Sequence, residues 1–302
     1  MIKLLKQYLN KIPLPIQAWI SILILTMVWG SSFIMLKKAL VVFSPLEVVA
    51  GRMAIAAVAL LPFAIREFRK IPREKWKYLI IFSFIANIFT TLCYAIAQSQ
   101  IDSALNGIVN SLTPIMTLIV GMLAYRQKLN RSQAIGLLVG LAATLFLLKL
   151  SGNAEVGYVN LFVLIAVFAT VLNGFTANML QFNLSGLTAI QIASVAFLII
   201  LPISAAILLF GDFFSLALQD EAGLEALTFI LILGLFANAG ALVLLSYLVQ
   251  ISSSVFATLT TYLMPLVAIF WGSMDGEAIS VWQVLAMALI LLSVYLVNRA
   301  PK

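Results

Sequence analysis

Apolar runs of about twenty residues recur ten times along the chain, separated by short polar turns. They cover roughly 17–36, 46–65, 76–97, 103–125, 132–148, 157–180, 188–210, 226–249, 252–271 and 281–297. Each approaches the ~20 residues that an α-helix needs to cross a bilayer. The polar positions inside these runs are ordered. In 103–125, Asn106, Asn110, Thr113 and Thr117 follow spacings of four, three and four, so they share one helical face. Pro114 cannot donate to the carbonyl of Asn110. In hydrocarbon a freed carbonyl must be satisfied by protein or by water in a cavity. The polar face is therefore expected to meet a lumen or another helix, and to turn away from lipid.

The same device returns in 254–271, where Thr258, Thr261 and Tyr262 precede Pro265. Pro114 and Pro265 lie 151 positions apart, and at that offset Asn110 meets Thr261 and Ala86-Asn87 meets Ala237-Asn238. Gln127 and Gln133 meet Glu277 and Gln283 at offset 150. An ordered series at one offset predicts two homologous halves, 1–150 and 151–302. The centre of the first run, Trp29-Gly30-Ser31-Ser32, permits close helix approach or a bend, and Asn173-Gly174 takes its place in the second half. Five spans per half is an odd number, so the second half is expected to be inverted. The expected fold class is an all-α membrane protein of ten transmembrane helices with both termini cytoplasmic.

Charge tests that orientation independently. With the N-terminus inside, the inner segments hold Lys3, Lys6, Lys11, the basic residues of 66–77, Arg126, Lys128, Arg131, Arg299 and Lys302. That makes 14 of the 18 basic residues, against two of the 11 acidic ones, Glu67 and Glu74. The positive-inside rule supports this arrangement, and the matched loops 66–77 and 211–225 carry opposite charge. The same distribution disposes of a nucleic-acid partner: the net charge of +7 sits in short loops between apolar runs. With 63% hydrophobic and 10% charged residues, the chain is far from the ~25% charge of soluble proteins. Membrane lipid is its expected surrounding. The first apolar run exceeds the h-region of a cleavable signal. The single cysteine, Cys93, cannot form an intramolecular disulfide.

These residues resemble the drug/metabolite transporter superfamily, in its ten-helix EamA-type branch. The resemblance rests on Trp29-Gly30-Ser31-Ser32-Phe33, on Pro45 with Arg52, and on Asn106 to Pro114 followed by a short loop and Gly136. It extends to Thr258 to Pro265 with Glu277 and Trp282-Gln283. It implies two inverted five-helix repeats and a central path lined by the third, fourth, eighth and ninth helices. It also implies outward export of small metabolites, often amino acids or related compounds, across a membrane such as the bacterial inner membrane. Two positions depart from the family pattern: Gln127, where a glutamate is usual, and Asn173, where the first half has tryptophan.

Candidate cavity residues are Asn87, Tyr94, Asn106, Asn110, Thr113, Asn238, Tyr247, Thr258, Thr261 and Tyr262. The competing role for these groups is interhelical hydrogen bonding; the adjacent prolines favour the cavity. Gly30, Pro114 and Pro265 are candidate hinges. Glu47 and Arg52, five apart at the outer end of the second span, are expected to form an ion pair capping that helix, with an outer gate involving Lys37 as the alternative. Lys37 and Lys38 depart from the charge rule and are expected to snorkel to headgroups. Trp271 is expected to anchor at the interface. No histidine is present and no carboxylate lies deep in a span, so facilitated diffusion or exchange is expected over proton coupling. The missing histidine also removes intramembrane Ser/His proteolysis and HExxH zinc chemistry, and no cofactor or metal is called for. A phosphate-sugar or nucleotide-sugar carrier would want several cations in its cavity, and a channel or membrane enzyme remains a further alternative. Oligomeric state is not readable.

Overall fold

The computed structural model describes residues 13–101, 103–128, 130–150 and 161–274, with single positions between 281 and 296. Lys3, Lys6, Lys11, Asp102, Glu277, Gln283, Arg299, Lys302 and the tenth span as a continuous element lie outside the described residues. All regular structure among the described residues is helical. Helices α1 (Leu14–Ala39) and α2 (Pro45–Glu67) open the chain. Then come α3 (Arg73–Gln98), α4 (Ser103–Asn110), α5 (Thr113–Tyr125) and α6 (Arg131–Leu150). The second half holds α7 (Leu161–Phe182), α8 (Ala189–Phe210), the short α9 (Phe213–Gln219), α10 (Glu221–Ile251), α11 (Ser254–Thr258) and α12 (Thr260–Met274). Among the described residues six helices, α1, α2, α3, α7, α8 and α10, are long and apolar enough to cross a membrane. The protein is a multi-pass integral membrane protein.

Local chemistry sets the helix ends. Ser44 and Glu47 form a capping box at the start of α2, and Thr188 and Gln191 form another at the start of α8. In each box the side chains of the N-cap and N3 residues satisfy each other's backbone N–H. Glu47 Oε2 accepts from both Ser44 N and Ser44 Oγ. The expected Glu47–Arg52 ion pair does not form: Glu47 serves the cap, and residues five apart do not face each other on a helix. Lys37 and Lys38 occupy the last turn of α1, where cations favour the helix dipole. Both are exposed, and Lys38 Nζ lies 5.3 Å from the centre of the Phe229 ring.

The expected fourth and ninth spans are each broken. The fourth splits at Ser111-Leu112, so that Pro114 falls in the first turn of α5, where its missing N–H costs nothing. The ninth splits at Leu259, six residues ahead of Pro265, which stays inside α12. The third and eighth spans carry a different irregularity. α3 contains a π-helical segment at Ser83–Phe89, and α10 contains one at Leu233–Gly240. The two segments fall at matching places in the halves and hold Asn87 and Asn238 respectively. Such segments are rare and recur at functional sites.

Apolar side chains fill the core and also cover the outside, while several amides are buried. Leu23, Val58, Phe210 and Leu218 point outward, whereas Asn87, Asn106, Asn110, Asn178 and Asn238 are buried. α2 lies along α8, α7 against α5, and α12 against α1. The last two crossings share one design. A Cβ on Gly30 of α1 would lie 2.6 Å from Val267 Cβ of α12, and a Cβ on Gly174 of α7 would lie 2.6 Å from the Thr117 backbone nitrogen of α5. Only glycine lets each pair approach so closely. Gly174→Ala meets backbone that cannot rotate aside, so it should destabilise the fold by about 1–3 kcal/mol. A lowered melting temperature in detergent is expected; an unchanged one would show that α7 shifts freely.

Candidate functional site

A cavity of about 180 Å³ lies among these helices. Both halves wall it: Trp29, Phe33 and Arg52 from α1 and α2, Asn87, Thr90 and Tyr94 from α3, and Asn110 and Thr113 at the α4–α5 break. Asn173 and Thr176 of α7, Asn238 of α10 and the group Thr258, Thr261 and Met264 close it from the other half. The two π segments and the two helix breaks therefore surround one space. Of the polar stripe read from the sequence, Asn110 and Thr113 face this space, whereas Asn106 and Thr117 are buried against neighbouring helices and do not line it.

On one side the polar groups form a closed network centred on Asn110. Its Oδ1 accepts from Tyr94 OH at 2.6 Å and from Thr113 Oγ1 at 3.0 Å, with Asn173 Nδ2 at 3.4 Å. Asn173 also donates to Tyr94 OH at 3.2 Å. An amide oxygen offers two lone pairs, so this one is fully engaged and works as a structural hub. Asn173, which stands where the first half has Trp29, thus has its own task on the wall. Trp29 donates through Nε1 to the Ala237 carbonyl at 2.9 Å, inside the π segment of α10. The Thr258 and Thr261 hydroxyls donate back to Val255 and Thr258 carbonyls of their own segment. That back-bonding leaves their oxygens as acceptors.

The break in one half completes the other. Pro265 has no N–H for the carbonyl of Thr261. Ser111 Oγ, at the α4–α5 break, donates to that carbonyl at 3.1 Å. Ser111 is fully buried, and no expectation had singled it out.

Arg52 is 7% exposed, and its Nε donates to Asn238 Oδ1 at 2.8 Å. It belongs to the cavity, and Glu47 and Lys37 do not join it; the three outer-gate candidates are not brought together. Asn87 lines the cavity with Nδ2 buried and lacking a hydrogen-bond partner among the described residues.

Three candidates lie off the wall. Asn106 Nδ2 donates to Tyr94 O at 3.1 Å and to Gln98 Oε1 at 3.0 Å, fastening α4 to α3. Tyr247 OH donates to Gln17 Oε1. Tyr262 is fully buried, its ring tip against Gly140 of α6, where a Cβ would lie 2.5 Å from Tyr262 Cζ. Trp271 Nε1 donates to Ser31 Oγ at 2.8 Å, so it ties α12 to α1 where interface anchoring was expected. Gln127, the first departure from the family pattern, donates to Asn178 Oδ1 at 2.8 Å, and Asn178 donates to Thr117 O at 2.7 Å. Asn178 was missed because its spacing alone does not distinguish it from other amides in the spans.

Broken helices, matched π segments and a shared polar cavity define a carrier-type membrane protein. The EamA-like transporter family matches this chain twice, over residues 17–149 and 160–299. The chain belongs to that family, a branch of the drug/metabolite transporter superfamily. It is 23% identical over 283 residues to YedA of Escherichia coli (strain K12), described as an uncharacterized inner membrane transporter; the match covers 91% of this chain and 88% of YedA. YedA of the O157:H7 strain matches to the same extent. A solved crystal structure, 15% identical, shares the fold with a TM-score of 0.67 over 92% of this chain and 95% of its own.

The hydrogen bond across the break is open to test. Ser111→Ala strands a buried carbonyl, at a cost of about 1–3 kcal/mol. A drop in melting temperature is expected. No drop would mean that the Thr261 carbonyl finds another donor.

Proposed function

We propose that this protein exports small metabolites, amino acids or compounds related to them, across the bacterial inner membrane by alternating access. In this reading ten spans form two inverted five-helix halves, 1–150 and 151–302, with both termini cytoplasmic. One observation carries it: a polar cavity walled by both halves, at the points where their helices are broken or π-distorted. The asymmetric distribution of lysine and arginine supports the orientation, and the inner-membrane placement of YedA supports the location. Asn87, Tyr94, Asn110, Thr113, Asn238, Thr258 and Thr261 contact or frame the substrate, while Asn106, Tyr247 and Tyr262 hold the helices that carry them.

The two halves rock about the cavity. Gly30 and Gly174 provide close crossings on which α12 and α5 pivot, Pro114 marks the break between α4 and α5, and Pro265 leaves the ladder of α12 open at the Thr261 carbonyl. No His is available and the cavity wall presents no carboxylate among the described residues, which favours facilitated diffusion or exchange. A wall with a single cation also favours a singly charged or zwitterionic substrate over a sugar phosphate.

Counterflow of labelled amino acids in proteoliposomes, with no pH or ion gradient, tests the function. Exchange by one class of amino acid is expected. Silence that a proton gradient relieves would overturn the coupling mode, and silence under both conditions would overturn the substrate class. Within that assay Pro114→Ala, which restores the option of a continuous α4–α5 helix, should change the turnover rate severalfold and leave the half-saturation concentration within about twofold. An unchanged rate would sink the hinge role.

A further inference from the structure

We propose that Arg52, held by Asn238, is the receptor for a single negative charge on the transported molecule, and that this charge is a carboxylate. The proposal rests on the reading of the cavity as the substrate site and names the headgroup bound there.

Arg52 lies seven residues into α2, about 10 Å along the helix from its N-terminus. It is buried, yet no acidic group meets it. The one ion pair among the described residues, Lys70–Glu67, lies at the other end of α2. The hydrogen bond from Nε to Asn238 Oδ1 fixes the plane of the guanidinium. Its two terminal nitrogens make no hydrogen bond among the described residues, and the side chain forms part of the cavity wall. A buried charge without a counter-ion costs several kcal/mol, and in a membrane such a group marks a functional site. The plane of a guanidinium presents two parallel N–H donors that match the two oxygens of a carboxylate.

Comparison of the halves sharpens this. Aligning the capping boxes of Ser44 and Thr188 puts Ala196 of α8 at the place of Arg52, eight residues past each N-cap. Asn87, the counterpart of Asn238, accordingly meets no guanidinium, and its Nδ2 stays unpartnered. The duplicated framework thus carries its charge in one half only. It presents unpartnered N–H donors at Arg52 of α2 and Asn87 of α3, both in the first half, and an acceptor of one negative charge answers the guanidinium. The apolar wall beside them, with Phe33, Leu36, Phe82, Leu180, Leu242 and Leu245, suits an uncharged body. For an α-amino acid, the acceptor oxygens of Thr258 and Thr261 take the ammonium.

Calorimetric titration of the full-length protein in nanodiscs tests the assignment. The probes are 3-phenylpropanoate, 3-phenylpropanamide and L-phenylalanine. The wild type should bind each acid at least about tenfold more tightly than the amide. Arg52→Gln should weaken acid binding by about thirtyfold and leave amide binding within about threefold, while Arg52→Lys, which keeps charge without the fork, should fall between. Where Arg52→Gln cannot be recovered folded, Arg52→Lys and Asn238→Ala serve: each should lower the acid-to-amide ratio at least about fivefold. Equal losses of acid and amide binding in Arg52→Gln would make the residue merely structural and overturn the proposal. So would a wild type without preference for the acids, or an acid-to-amide ratio unchanged in both secondary variants. Silent amino-acid counterflow alongside Arg52-dependent phenylpropanoate binding would overturn the amino-acid reading and leave the carboxylate receptor standing. Amino-acid counterflow undiminished in Arg52→Gln would do the reverse.

Discussion

A backbone carbonyl has nowhere to go in a membrane unless the protein provides for it. Proline at 265 frees the carbonyl of Thr261, and the donor that answers it, Ser111 Oγ, sits at the break of a helix in the opposite half. The defect in one half is thereby completed by the defect in the other. The chain can afford neither break alone in hydrocarbon, which is why the two lie face to face and why the space between them is polar. Glycine crossings at Gly30 and Gly174 bring the flanking helices close enough for this to work. The cavity is a consequence of how the backbone is satisfied.

The π segments extend the same logic to α3 and α10. A widened turn changes which carbonyls find donors, and side chains make up the difference: Thr90 Oγ1 donates to Ile85 O at 2.7 Å, and Trp29 Nε1 to Ala237 O. Each widened turn also turns an asparagine to the wall. Symmetry ends there. Asn238 meets a guanidinium and Asn87 Nδ2 has no hydrogen-bond partner among the described residues, while Trp29 of one half is answered by Asn173 in the other. A duplicated frame with unlike side chains gives a cavity with two distinguishable sides, as binding of an asymmetric molecule requires.

Much of this was legible in the sequence, because membrane burial writes polar residues into helical faces. The offset that pairs Pro114 with Pro265 and Asn87 with Asn238 marked the spans that carry the helix breaks and the π segments, although the second break lies six residues ahead of Pro265. It did not reveal that α3 and α10 are π-distorted, since a widened turn leaves hydropathy unchanged. Arg52 was misread as a partner of Glu47, although Ser44-Pro45-Leu46-Glu47 already spelled a capping box that commits the glutamate. Asn106, Tyr247 and Tyr262 share a polar character with the wall residues but face Gln98, Gln17 and Gly140. Periodicity tells which face a residue occupies, and only the packed neighbour tells what that face meets.

The central claim is that the space between the two halves opens to each side of the membrane in turn. Cysteine accessibility tests it most directly. With Cys93 replaced by serine and cysteine placed at Thr258 on the cavity wall, a membrane-impermeant thiol reagent should label the protein from outside in right-side-out vesicles. It should label from the opposite face in inverted vesicles as well. Labelling from one face alone, or from neither, would contradict the account.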